Sequence, residues 1–226
     1  ALLDENSFVE IGALVTARAT DFNLKQTETP SDGVITGYGV IDGSLVYVYS
    51  QDASVLNGTI GEMHAKKIAN LYDLAMKTGA PVIGLIDSAG LRLQEATDAL
   101  NGFGGIYLKQ VDASGVIPQI AVILGPCSGG ACYAPAICDF IFMVKDISKM
   151  FITGPNVVKT VINEEGSVEE LGGAEIHARK SGVSHFTYDS EGECLMGVRK
   201  LLSYLPANNT EKPPVVKYSE KPSFLY

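Results

Sequence analysis

Gly125-Pro126-Cys127-Ser128-Gly129-Gly130-Ala131-Cys132-Tyr133 is the stretch whose residue types and spacing carry the most chemistry. It follows an apolar, β-branched run, Ile117 to Leu124, which reads as a buried strand bounded by Pro and Gly. The residues from Ala131 to Ile137 read as a helix opened by a tight turn. The first amides of such a helix have no internal partner and point outward, and adjacent glycines let a ligand approach them closely. Three readings stand side by side. The turn is a packing device; or Gly125-x-Cys127-x-Gly129 is a nucleophile elbow, with His177 or His185 as a downstream base; or the N–H groups form an oxyanion hole with no nucleophile.

Side chains for acid–base chemistry are few. His64, His177 and His185 are the three histidines, and none has an evident Asp or Cys partner in sequence. Neither an H-E-x-x-H pattern nor a paired-carboxylate pattern occurs. Cys127, Cys132, Cys138 and Cys194 form no C-x-x-C pair, so reduced, buried thiols and no metal site are expected. Chemistry in which the substrates bring the proton acceptor fits this shortage. The net charge of −9 argues against general nucleic-acid binding, because neutralising phosphates needs excess Lys and Arg. With 46 % hydrophobic and 19 % charged residues, a large core is affordable. No apolar run nears the ~20 residues that span a bilayer, and a cytoplasmic location is the default expectation.

The elements that must position the turn read as alternating strands and helices. Asp42-Gly43 joins two β-rich runs, Val34–Ile41 and Ser44–Ser50, as a hairpin. Asn57 to Gly79 has helical periodicity, Pro81–Ile86 is a buried strand, and Asp87-Ser88-Ala89-Gly90 is a second small-residue turn. Leu91 to Gln110 reads as a helix interrupted at Gly102–Gly105. Strands follow at Phe140–Val144 and Lys149–Ile152, a helix starts at Gly154-Pro155, and Ser190–Tyr204 is the last helix. The expected division is an N-terminal arm over 1–31, including a polar run from Asp21 to Ser31, an α/β domain over 32–206 and an extended tail over 207–226. Periodicity permits a doubly wound sheet as well as any other layered α/β fold.

Ordered motifs run through the whole chain: Asp32-Gly33-Val34-Ile35-Thr36-Gly37-Tyr38-Gly39, Asp87-Ser88-Ala89-Gly90 through Arg92-x-Gln94-Glu95, Gly125 to Ala131, Met150-Phe151-Ile152-Thr153-Gly154-Pro155 and Ser203-Tyr204-Leu205-Pro206. In this order they resemble the N-terminal half of the carboxyltransferase β subunit of biotin-dependent acyl-CoA carboxylases. The resemblance implies an α/β, crotonase-like spiral of ββα units. It also implies an enzyme that moves a carboxyl group between carboxybiotin and the α-carbon of an acyl-CoA. The thioester enolate would be held by the N–H groups of Gly129 and Gly130. Ser88, Ala89 and Gly90, beside Gln94, would line the acyl pocket, with Arg92 and Lys66 candidates for coenzyme A phosphates alongside Lys67 and Lys109. Biotin would arrive on a carrier protein, and a C-terminal half would complete the site within a trimeric or hexameric homo-oligomer. Two related readings share the site: a decarboxylase carboxyltransferase with a membrane partner, and a half-enzyme that only binds acyl-CoA. Ala96 stands where the family usually has Gly.

Overall fold

The computed structural model describes residues 1–18 and 27–215; the first part of the polar run at Asp21–Ser31 and the end of the tail lie outside the described residues. At Asp42-Gly43 both residues take positive φ, 49° and 82°, the geometry of a tight hairpin turn. The strands it joins, β2 (Val34–Ile41) and β3 (Ser44–Gln51), pair antiparallel in full register, and β1 (Val9–Ile11) adds to the free edge of β2. From β3 onward the sheet is parallel: β4 (Val82–Ser88), β5 (Gln119–Ser128), β6 (Phe140–Val144) and β8 (Phe186–Tyr188), in the order β1-β2-β3-β4-β5-β6-β8. β7 (Lys149–Phe151) pairs with the end of β5, along the same edge as β6.

Period-two alternation explains how one sheet serves two cores. On β3, Tyr47 and Tyr49 enter the cluster that holds Ile68, Leu71 and Tyr72 of α1 (Glu62–Thr78) with Phe103 and Ile106 of α2 (Ala96–Ala113). Val46 and Val48 enter the other cluster, with Phe142 and with Cys194 and Val198 of α7 (Glu191–Leu202). The arm is tied to this second core. Leu2 is buried there, and Arg199 of α7 grips the Leu2 carbonyl and the Asp4 carboxylate, each at 2.8 Å.

Two sequence expectations need correcting. β5 does not stop at Leu124 but runs through Gly125-Pro126 to Ser128. The β4–β5 register slips between Ile86 and Ser88, so that three residues of β5, Leu124 to Pro126, oppose Asp87 alone. A bulge absorbs the N–H that Pro126 lacks and swings the strand end outward. The second correction is α2, which is unbroken across Gly102–Gly105. Gly102 is there for contact rather than for a break: a Cβ would lie 2.8 Å from that of Ala65 on α1, whereas Gly104 and Gly105 face open space.

α2 begins on a strained residue. Ala96 has φ 45° and ψ −117°, a conformation that glycine adopts freely and alanine does not. The position is the one where the resemblance leads one to expect Gly. Ala96→Gly is therefore expected to raise stability by about 1 kcal/mol, read as a higher urea midpoint at unchanged m-value. An unchanged or lower midpoint contradicts the strain.

Candidate active site

The bulge delivers Ser128 and the two glycines to the C-terminal rim of the parallel strands. Gly129, at φ 62°, turns the chain in a left-handed step that disfavours any side chain, and a 3₁₀ turn over Gly129–Cys132 leads into α3 (Tyr133–Ile137). Cα partners Pro126↔Lys149, Cys127↔Met150 and Ser128↔Phe151 set the β5–β7 ladder. Since Pro126 has no N–H, the amides of β5 that face β7 are those of odd-numbered residues. Gly129 N–H thus sits at the ladder's end, and Gly130 N–H is the first amide past it. Among the described residues no acceptor outside turn and ladder takes either amide. Both glycines are partly exposed. The carbonyl of Gly130 is fixed from below by the hydroxyl of Tyr107, which donates to it at 2.5 Å. Burial pushes the Tyr107 phenol up to about 12, so it remains a donor at every working pH. Its ring lies 5.9 Å from that of Phe103 and 6.2 Å from that of Tyr133.

The turn is flanked on both sides. Towards β4, the Ser128 hydroxyl donates to the Ala89 carbonyl at 2.9 Å, and a Cβ on Gly90 would stand 2.8 Å from the Ser128 carbonyl. Towards β7 lies a mainly apolar cleft of about 420 Å³, lined by Cys132, Tyr133, Ile152, Thr153, Leu171 and His177 among others. An amide beyond the ladder, next to an apolar cleft, suits a carbonyl compound that develops negative charge on oxygen.

The nucleophile reading fails. Cys127 is fully buried, its Sγ points at the Ala131 carbonyl 3.4 Å away, and burial holds its thiol well above the usual range. The histidines are all engaged as well. His177 holds the Met150 carbonyl at 2.6 Å and the Ser181 hydroxyl at 2.8 Å; His185 Nδ1 accepts Ile141 N–H at 2.9 Å. His64 is buried between the Asp32 carbonyl and the Gln51 amide.

The expected substrate-binding residues separate into two groups. Ala89 is exposed beside the turn and Gln94 is exposed on the 3₁₀ turn Leu93–Glu95, with no contact that ties it to the glycines; Ser88 and Gly90 are buried, and the Ser88 hydroxyl accepts Gly90 N–H at 3.2 Å. They shape the rim from beneath. Arg92 is a correction: it is fully buried, and all five of its N–H groups are engaged by Asp32, Glu95 and Thr59, so it has no donor left for a phosphate. Lys67 is likewise withdrawn, buried with its Nζ on the Ser31 and Val34 carbonyls. Lys66 is exposed and paired with Glu62 at 2.6 Å, and Lys109 with Asp73 at 2.7 Å. Surface pairs of this kind are weak enough to exchange for a phosphate. Sequence reasoning missed Tyr107 entirely. At i, i+4 from Phe103 on α2 it is indistinguishable from an ordinary core stripe.

Tyr107→Phe removes the donor that pins the Gly130 carbonyl, and is expected to lower stability by about 1 kcal/mol. Faster hydrogen exchange over Gly129–Cys132 is expected to accompany it; unchanged exchange there contradicts the pinning.

A glycine corner at the rim of a parallel α/β sheet, beside an apolar cleft, is an arrangement that can receive a carbonyl oxygen. The comparisons narrow this to a family. The carboxyl transferase domain profile matches residues 1–225, and the chain belongs to that family. It is 54 % identical over 221 residues to the propionyl-CoA carboxylase beta chain of Roseobacter denitrificans, covering 98 % of this chain and 43 % of the relative. Methylmalonyl-CoA decarboxylase subunit alpha of Veillonella parvula is 53 % identical over 222 residues, covering 98 % and 44 %. Among solved structures, transcarboxylase 12S with methylmalonyl-coenzyme A bound superposes with TM-score 0.93 at 46 % identity, covering 95 % of this chain and 42 % of that one. The fold is crotonase-like, as the sequence motifs led us to expect. The chain spans less than half the length of these relatives.

Proposed function

We propose that this chain supplies the acyl-CoA half of a biotin-dependent carboxyltransferase site. The observation that carries the reading is the Gly130 amide, the first past the β5–β7 ladder, on a partly exposed glycine of a turn pinned by Tyr107, with an apolar cleft lined by the adjoining Cys132 and Tyr133. In this reading the thioester oxygen sits against Gly130 N–H; Gly129 N–H, whose place in the ladder gives it to β7, corrects the expectation of a donor pair and holds the corner instead. Charge that moves onto that oxygen when the α-proton leaves is met by dipoles already in place. The short acyl chain lies in the cleft between Tyr133 and Ile152, and Ala89 and Gln94 cover the thioester from the β4 side. Lys66, on the exposed face of α1, is a candidate for the coenzyme A phosphates.

Biotin, carried on a partner protein, supplies the carboxyl group and, once free of it, an acceptor for the α-proton. The site fits that division of labour, because every histidine near or far is already hydrogen-bonded and Cys127 is buried. The residues of this chain bind and orient the thioester and leave the other reactant to the C-terminal half of the assembly. Carboxylation and decarboxylation use the same arrangement, and relatives of both directions match. Among the described residues no helix is long and apolar enough to cross a membrane.

The test is calorimetric titration with acetyl-, propionyl- and methylmalonyl-CoA, followed by a biotin-dependent carboxyl-transfer assay with and without the complementary half. Saturable acyl-CoA binding, with transfer only when both halves are present, is the expected result. Transfer by an assembly in which this chain binds no acyl-CoA overturns it.

A further inference from the structure

A buried charge cluster lies next to the site but outside the chemistry above. Arg92 stands at its centre, fully buried, with Nη1 on Asp32 at 2.5 Å and Glu95 at 2.9 Å, and Nη2 on the Thr59 carbonyl at 2.8 Å. The same two carboxylates cap α1. Glu95 accepts Glu62 N–H at 2.6 Å and Asp32 accepts His64 N–H at 2.7 Å, in place of the side chain that the N-cap residue Gly61 lacks. Gly61 has to be glycine, since a Cβ would meet Glu95 at 2.5 Å and Arg92 at 2.6 Å.

The backbone of the same segment is stitched to the strand ends. Arg92 N–H donates to the Ile60 carbonyl at 3.1 Å, Ile60 N–H to the Gly90 carbonyl at 2.8 Å, and Ala89 N–H to the Asn57 carbonyl at 3.0 Å. The Ala89-Gly90 turn held in this way is the one that abuts Ser128, the residue before the oxyanion turn. The chain of contacts thus runs from Arg92 through Gly90 and Ala89 to Ser128 and so to Gly129-Gly130.

We propose that Arg92 is a positioning residue for the oxyanion turn: its five-donor clamp on Asp32, Glu95 and Thr59 fixes the Ala89-Gly90 shelf that abuts Ser128, two residues before Gly130. Removing a buried ion-pair partner also costs stability, so the proposal needs a readout that stability alone does not move. The inference rests on the acyl-CoA reading for its kinetic arm and on geometry alone for its exchange arm.

The experiment compares Arg92→Met, Arg92→Lys and a control, Val198→Ala, which opens the core on the other face of the sheet, in the full assembly. Arg92→Met is expected to lower kcat roughly 10- to 100-fold with KM for acyl-CoA little changed, the signature of a misplaced donor rather than a lost contact. Arg92→Lys, with the charge but not the fork, falls between it and wild type. Hydrogen exchange over Ser128–Cys132 speeds up in the Arg92 variants and not in Val198→Ala. If Arg92→Met does not fold, Glu95→Gln, which keeps the shape and drops one charge, is expected to show the same kcat loss and the same local exchange.

Equal kcat losses in Val198→Ala and Arg92→Met, or unchanged exchange over Ser128–Cys132, overturns the proposal. A wild-type assembly that transfers no carboxyl group refutes the acyl-CoA reading instead, and the exchange comparison still decides the role of Arg92.

Discussion

Gly130→Val, in the enzyme assembled with its complementary half, is expected to lower kcat/KM by a factor on the order of 100 to 1000, the usual effect of removing one oxyanion donor. The backbone itself allows a side chain here, because Gly130, unlike Gly129, is not in the left-handed region. The obstacle is space. A Cβ would already lie 3.3 Å from the Tyr107 hydroxyl and 3.6 Å from the Phe103 ring. The two further methyls of valine have to displace Tyr107, release the Gly130 carbonyl and rotate the amide away from the cleft. Gly130→Ala adds only the Cβ and is expected to lose much less. The turn packs on the edge of the first core through Phe103, Ala131 and Cys132, so some loss of stability accompanies the substitution, and an unchanged circular dichroism spectrum is the check that the fold is kept. Near-wild-type turnover by Gly130→Val counts decisively against the amide as a donor.

The second large effect concerns acid stability. His64 is fully buried, and its pKa is lowered from 6.5 to about 3, chiefly by burial and next by the Arg92 guanidinium, with Lys67 adding to both and the hydrogen bond to Asp32 opposing. Below pH 6.5 the unfolded chain takes up a proton that the folded chain refuses. Stability therefore falls as pH drops, with a limiting slope of about 1.4 kcal/mol per pH unit and a loss of about 2 kcal/mol by pH 5. Asp32 acts in the opposite sense, since burial raises its carboxyl above 3.8 against the pull of Arg92. Comparison with His64→Gln, rather than the wild-type curve alone, separates the His64 contribution from that of the raised carboxyls. Urea midpoints of wild type and His64→Gln from about pH 6.5 to 5 are expected to diverge in slope, with the variant flatter by most of that amount. Parallel slopes contradict a buried, neutral His64.

Much of this architecture is visible in the local pattern of residues, and the misses have physical causes. The hairpin at Asp42-Gly43 was legible because the dipeptide favours positive φ at both positions. β5 was cut short because Gly125-Pro126 has the composition of a breaker; only the register with β4 shows that a bulge accommodates it. Gly102–Gly105 looked like an interruption because a glycine that permits helix contact and one that ends a helix are the same letter. The Gly129-Gly130 corner proposed as the oxyanion turn is visible in its glycines, whereas the burial of Arg92 is not. Its principal partner, Asp32, lies 60 positions earlier in the chain, and a basic residue near a turn reads as a surface cation until its burial is known.

The central claim is that an amide at the Gly129-Gly130 corner receives the thioester oxygen. The most direct measurement is the amide correlation spectrum of glycine-labelled protein during titration with propionyl-CoA. The account predicts that the Gly130 amide proton moves downfield and exchanges more slowly as the thioester binds, while Gly104 and Gly105, on the open side of α2, stay where they are. Saturable binding of propionyl-CoA with the Gly129 and Gly130 signals unmoved would contradict it.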